Sequence, residues 1–233
     1  MRVNDTPVAA ATVSEQALCS LRRDVLLGEH APGAKLKLEL LQVQYGFSSS
    51  PLREALNRLA QEGLVRADER RGFRVAPISP EDLADITRMR LMLEPSALCD
   101  AIAQGDDTWE AAIVARFHEL ELLESRLGDG PVVLDTDWTR RHREFHFALI
   151  AACPSQRQLA WIASLFDQAE RYRQLSARYR QGQRRKSDEH RRLMQAVLRR
   201  DADTACAMLT QHTQGTERNA AAALSKLAVE GRA

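Results

Sequence analysis

Apolar residues recur at helical spacing from Val13 onward, with Ala17, Leu18, Leu21, Val25 and Leu26 on one face, until GEHAPG stops the run. A short second helix fits LELLQVQY, residues 38–45, and a third opens at SSSPLREALNRLAQEGLV. There the serines supply an N-cap, Pro51 suits the first turn and Gly63 terminates. In that third helix Leu52, Ala55, Leu56, Leu59 and Ala60 fall on one side. Strand formers Val65, Phe73 and Val75 around the turn RRG then predict a two-stranded hairpin. Beyond Ser79 and Pro80 the pattern is helical only. One helix runs to about Gly105, the next follows a capping-box spacing at Asp107 and Glu110, and others fit 134–153, 156–180, 186–200 and 202–224.

The fold class that follows is mainly α, an N-terminal winged helix-turn-helix at 13–78 followed by an all-α helical bundle at 79–226. The first module would lay its third helix in the major groove of a double-stranded DNA operator. Arg53, Asn57 and Arg58 then face outward with the chemistry that pairs with guanine and adenine edges. The hydroxyls and N–H groups of Ser48, Ser49 and Ser50 suit phosphates, as does Lys37. Arg70, Arg71 and Gly72 form the wing tip, within reach of a phosphate or the minor groove. An amphipathic helix with exposed arginines is also what a plain solvated face looks like.

Composition narrows the field. With 44% hydrophobic and 28% charged residues the chain reads as a soluble globular protein. Its longest apolar run, FALIAAC, is far short of the about 20 residues of a membrane span. The first 16 residues lack the continuous apolar core of a signal peptide and read as a frayed tail, so a cytoplasmic location is expected. Cys19, Cys99, Cys153 and Cys206 are scattered, show no C-x-x-C pair, and read as small core residues in a reducing compartment.

The formal charge of +1 hides an asymmetry. Residues 1–79 hold 11 basic and 9 acidic side chains, residues 80–137 hold 4 and 14, and residues 138–233 hold 18 and 9. Either the last two segments neutralise one another within a bundle, or some of the late arginines line a pocket for an anion.

Chemistry concentrates in HREFH, residues 142–146. Positions i and i+4 share a helix face, so His142 and His146 can grip one ion or can be an ordinary pair of core histidines. His190 and His212 lie on later helices that an antiparallel bundle can aim at the same point. Such nitrogen ligation favours zinc, nickel or copper over magnesium or calcium. The zinc-protease reading fails, because Glu144 is two positions from both histidines, about 200° round the helix, and cannot serve as their base. No nucleophile elbow, phosphate loop or dinucleotide fingerprint is present.

The stretch from LLGEHAPG to RGFRVAPIS, with PLREAL and RLAQEGLV, resembles the DNA-binding domain of GntR-family regulators, with Ser49 where that family usually carries an arginine. TRMRLMLEPSAL, FHFALIAAC and EHRRLMQAVLRRDADTA resemble the all-helical FCD effector domain of the FadR-type subgroup. The resemblance implies a homodimeric, one-component transcriptional regulator, a repressor, that responds to a small carboxylate, dicarboxylates such as glutarate included. It also implies a divalent metal, zinc or nickel, held by an Asp or Asn, a histidine four residues later and two later histidines. His146, His190 and His212 match, and His142 replaces the Asp or Asn, which gives either a four-histidine site or a weakened one. Arg90, in the family-like helix, is the candidate anchor for the effector carboxylate, with Arg171 and Arg173 as alternatives. The competing reading of Arg90 is a surface helical pair with Glu94. Two other classes compete, an all-α metalloenzyme carrying a DNA-binding domain and a ligand-free architectural DNA-binding protein. No catalytic residue is assigned.

Overall fold

A computed structural model describes residues 11–68, 72–126, 136–178 and 186–230. The expected frayed tail and the wing-tip arginines Arg70 and Arg71 lie outside them, the tail except for its last residues. Two compact units result, one carrying the chain up to Pro77 apart from Leu26–Gly28, the other those three residues and Ile78 onward.

The first unit contains α1 (Val13–Leu27) apart from its last two residues, β1 (Lys35–Leu36), α2 (Leu38–Tyr45), α3 (Ser49–Gln61), β2 (Val65–Asp68) and β3 (Gly72–Val75). Leu52, Ala55, Leu56 and Leu59 of α3 are fully buried with Leu21 of α1, as the apolar spacing requires. Gly46 closes α2 at φ 73, and its amide donates to the Gln42 carbonyl at 2.9 Å. That left-handed residue turns the chain towards α3, a conformation glycine adopts without a Cβ penalty. The expected two-stranded hairpin is a three-stranded antiparallel sheet of order β1-β3-β2. Lys35 and Leu36 pair with Arg74 and Phe73, and a two-residue strand is too short to announce itself by alternation. Tyr45 donates to Asp24 at 2.6 Å and meets His30 at 2.9 Å, tying α1 to the end of α2.

Six helices make up the second unit among the described residues: α4 (Pro80–Gln104), α5 (Asp107–Arg126), α6 (Thr136–Ile150), α7 (Gln156–Arg178), α8 (Lys186–Leu198) and α9 (Ala202–Glu230). Ser79 caps α4, its hydroxyl accepting from the Asp82 amide at 3.1 Å. Tyr172 of α7 donates to the Asp82 carboxylate at 2.6 Å, fixing α7 against that end of α4. The α5 cap is Asp106, which accepts from the Trp109 amide at 2.9 Å, and not the Asp107–Glu110 box. Asp107 already belongs to the first turn, too late to reach an unpaired amide three residues on.

Trp138, Phe145, Leu149 and Ile150 of α6 pack with Ile113, Phe117 and Leu120 of α5 and Leu193, Ala196 and Val197 of α8. The charge asymmetry is partly neutralised across helices, Arg200 meeting Glu110 at 2.6 Å and Arg191 and Arg141 meeting Glu121 and Glu119. No helix of the described residues is long and apolar enough to cross a membrane. The cysteines depart from expectation. Only Cys153 is buried, while Cys19 and Cys99 are exposed, because an uncharged helical residue need not face the core.

Candidate functional site

Residues Trp138, His142, Phe145, His146, Leu149 and Ile150 form one buried stripe of α6, so the two histidines point inward because their helix is amphipathic. On α8, His190 shares the buried face with Leu193 and Val197, and on α9 His212 adjoins buried Leu209 and Thr213. Packing these helices together brings one nitrogen of each of the four histidines within 4.8 Å of the others.

That donor set suits a divalent metal. Tetrahedral zinc at about 2.0–2.1 Å from each nitrogen spaces its ligand atoms roughly 3.3 Å apart, and the Nε2 atoms of His142 and His146 are 3.1 Å apart. Burial, then the neighbouring His212, His190, Arg173 and Arg90, pushes the His146 pKa well below its usual value and keeps the ring neutral, the form that ligates. Glu189 lies 3.4 Å from Nδ1 of His212. A carboxylate there holds the ring proton on Nδ1 and leaves Nε2 for a metal.

His142 behaves differently. Its Nδ1 lies 2.9 Å from Nη1 of Arg173, which can only donate. The neutral His142 ring therefore carries its own proton on Nε2, the atom facing His146. Ligation by His142 requires the Arg173 contact to open.

Polar side chains buried beside the histidines supply the charge. Glu94 takes Arg90 with both oxygens, at 2.6 and 3.3 Å, and both residues are about 5% exposed. The pair expected on a helix surface is thus a buried one. Arg173 is held by Glu170 one turn earlier on α7, and its Nε is buried without a hydrogen-bond partner. Arg90 and Arg173 both lie against the Phe166 ring, at 5.2 and 5.1 Å from its centroid. Arg171 is buried as well, but two positions from Arg173 it stands about 200° round α7. Its charge acts on the neighbouring Tyr172 hydroxyl.

A cavity of about 300 Å³ opens onto His190 and His212 and is lined also by Glu189, Arg192, Gln211 and Arg218. A second recess, bounded by His146, Glu94 and Phe166, holds about 10 Å³, roughly one water. Sequence reasoning missed Glu94 as a buried partner, Phe166, Glu170 and the cavity residues Arg192 and Arg218. One signal was present in α7, where AERYRQ is polar all round yet is flanked by Phe166 and core residues. Residues 169–174 prove to be buried on every side.

Catalysis finds no support in Glu144, which accepts from Arg140 at 3.0 Å and faces Arg116 and Arg141. Among the described residues the acids nearest the histidines, Glu94, Glu170 and Glu189, are engaged by Arg90, Arg173 and His212.

In the first unit, Arg53, Asn57 and Arg58 project from the exposed face of α3, with Glu54 between them bound by the Ser14 hydroxyl at 2.6 Å. Ser48 is the N-cap residue but makes no side-chain capping bond, and Ser49 and Ser50 are exposed in the first turn. Lys37, exposed, precedes α2, and Gly72 opens β3 at φ 85. The serines and the helix amides thus present donors at one helix end.

Among the described residues, a three-helix unit with a small antiparallel sheet and a six-helix bundle with a polar centre share one chain, the architecture of a helix-turn-helix transcriptional regulator. Residues 13–75 match the family of bacterial regulatory proteins, gntR family, and residues 85–215 match the FCD domain. The chain belongs to the GntR family, in its FadR-type subgroup with an FCD domain. It is 37% identical over 196 residues to the HTH-type transcriptional repressor GlaR of Escherichia coli, covering 82% of this chain and 88% of that one. It is 36% identical over 214 residues to the HTH-type transcriptional regulator BphR of Paraburkholderia xenovorans, covering 91% and 87%. The solved structure of E. coli McbR/YncC shares the fold, with a TM-score of 0.76 at 20% identity over 94% of this chain and 100% of that one.

Proposed function

We propose that this regulator is a cytoplasmic, homodimeric repressor whose helical domain binds a small carboxylate at a histidine-held divalent metal and thereby changes its affinity for a DNA operator. The observation that carries the reading is the convergence of four histidine nitrogens within 4.8 Å beside two buried arginines. His146, His190 and His212 would hold zinc or nickel, and His142 joins them only if Arg173 releases it. A bound metal would supply a positive centre for a carboxylate oxygen. Arg192 and Arg218 line the approach, and Arg90 and Arg173 set the potential of the inner wall. Dicarboxylates, glutarate first among them, match a metal at one end of the cavity and a guanidinium at the other. On the DNA side, Arg53 and Asn57 read bases, while Arg58, Lys37, the serines and the wing residues Arg70 to Gly72 contact the backbone. Repression accords with the likeness to GlaR, a transcriptional repressor.

Two measurements on the full chain test this. Metal analysis after purification without chelator is expected to give about one zinc or nickel per chain. An operator selected from random DNA is expected to lose or gain affinity on adding glutarate or a related acid, by about 1–3 kcal/mol. No metal after reloading with zinc and nickel, together with DNA binding indifferent to the whole acid panel, would refute the effector reading.

A further inference from the structure

Cys99 on α4 and Cys206 on α9, 107 positions apart in the sequence, place their sulfurs 2.9 Å from each other. A disulfide needs about 2.05 Å, so less than an ångström of movement separates two thiols from a bond. We propose that Cys99 and Cys206 are a peroxide-responsive dithiol pair that closes to an intramolecular disulfide between α4 and α9.

The two sulfurs are not equivalent. Cys99 is exposed and meets oxidant from solvent, whereas Cys206 is partly buried and donates to the Pro95 carbonyl at 3.3 Å. Burial, and then the hydrogen bond with Cys99, pushes the Cys206 thiol up to about 12, so Cys99 is the attacking group. The Cys99 thiolate attacks one oxygen of hydrogen peroxide and breaks the O–O bond. This gives a sulfenic acid, and the departing hydroxide takes a proton to become water. Cys206 then attacks the Cys99 sulfur and displaces its hydroxyl, which leaves with the Cys206 proton as a second water. Two thiols are oxidised and one peroxide is reduced.

α4 also carries Arg90 and Glu94, and α9 carries His212. The bond therefore fixes together two of the helices that build the histidine site, without using any residue of that site.

The full-length protein, reduced, desalted and treated with hydrogen peroxide, tests the proposal by thiol titration under denaturing conditions. Titratable thiols are expected to fall from four to two, intact mass to drop by two hydrogens, and peptide mapping to join Cys99 to Cys206. Dithiothreitol should restore all four. Cys99→Ser should keep its three remaining thiols, and oxidised wild type should melt at a higher temperature than reduced. Four surviving thiols, oxygen added to Cys99 with Cys206 untouched, or a bond between two chains on a non-reducing gel would each overturn the pair. A closed bond with no rise in melting temperature would overturn the clamp.

Discussion

Replacing Glu94 by glutamine removes a charge while keeping shape, and it isolates what the buried pair on α4 contributes. Arg90 and Glu94 have side chains only 4% and 6% exposed, so solvent does little to screen what is lost. With Glu94 neutral, the Arg90 guanidinium keeps the Phe166 face at 5.2 Å, an attraction of about 2 kcal/mol when desolvated, which does not replace the lost counter-charge. It also remains under repulsion from Arg173. Breaking one partner of a buried pair costs about 3–5 kcal/mol. In a unit of this size that corresponds to a melting shift of roughly 6–20 °C. Trp109, Trp138 and Trp161 all lie in the helical unit, so fluorescence-monitored urea and thermal unfolding report it alone. Asp85→Asn, which breaks an exposed pair with Arg88 at 61% and 72% exposure, is the control and should cost only a few tenths of a kcal/mol. The double variant Arg90→Met, Glu94→Leu should recover most of the loss, since an apolar replacement leaves no stranded charge. A Glu94→Gln loss below about 1 kcal/mol, comparable to a surface pair, would refute the account of a desolvated ion pair.

Arg53→Ala should cost about 1–3 kcal/mol in binding to a selected operator and relax preference at one base, measured by titration across a base-substituted panel; unchanged discrimination would remove Arg53 from the groove. His146→Ala should abolish metal binding while His142→Asp retains it, read by metal analysis, and equal metal content in both variants would contradict the assignment. Acid should strip the metal, because protons compete for the ligating nitrogens. In the metal-free chain, stability should decline as pH falls below about 6.5, where unfolded His146 takes up a proton that its buried ring, with its lowered pKa, refuses. A flat stability profile between pH 7 and 5 would count against that burial. Gly46→Ala meets no atom within 4 Å, so its cost is the strain of a left-handed alanine at φ 73, about 1–2 kcal/mol of stability in the DNA-binding unit by denaturant unfolding, and a neutral result would mean that the turn relaxes.

The α6 stripe could be read directly from Trp138 to Ile150, because helical periodicity is a local property and both histidines lie on it. The exposed side of α3 was legible for the same reason. What the chain did not disclose depends on neighbours far away in sequence. Leu36 becomes a strand only because Phe73 is there to pair with it, and Cys99 meets Cys206 only through the packing of α4 on α9. Arg90–Glu94 was visible as a spacing, but whether such a pair sits in water or in a core is decided by α7, whose Phe166 covers it. The hydrogen bond from Arg173 to His142 could not be foreseen, since helical spacing says nothing about which ring nitrogen carries a proton.

Phe166 has a further consequence. One phenyl ring is the common floor of two ion pairs, Arg90 with Glu94 and Arg173 with Glu170, so a change in any of these five residues alters the environment of the others. The site is therefore strongly epistatic. Redesigning its ligand preference one residue at a time passes through stranded charges, each a destabilised intermediate. Workable routes exchange acid and base together while the aromatic floor stays in place, and libraries that vary the pairs jointly should yield folded variants where single-site scans yield few.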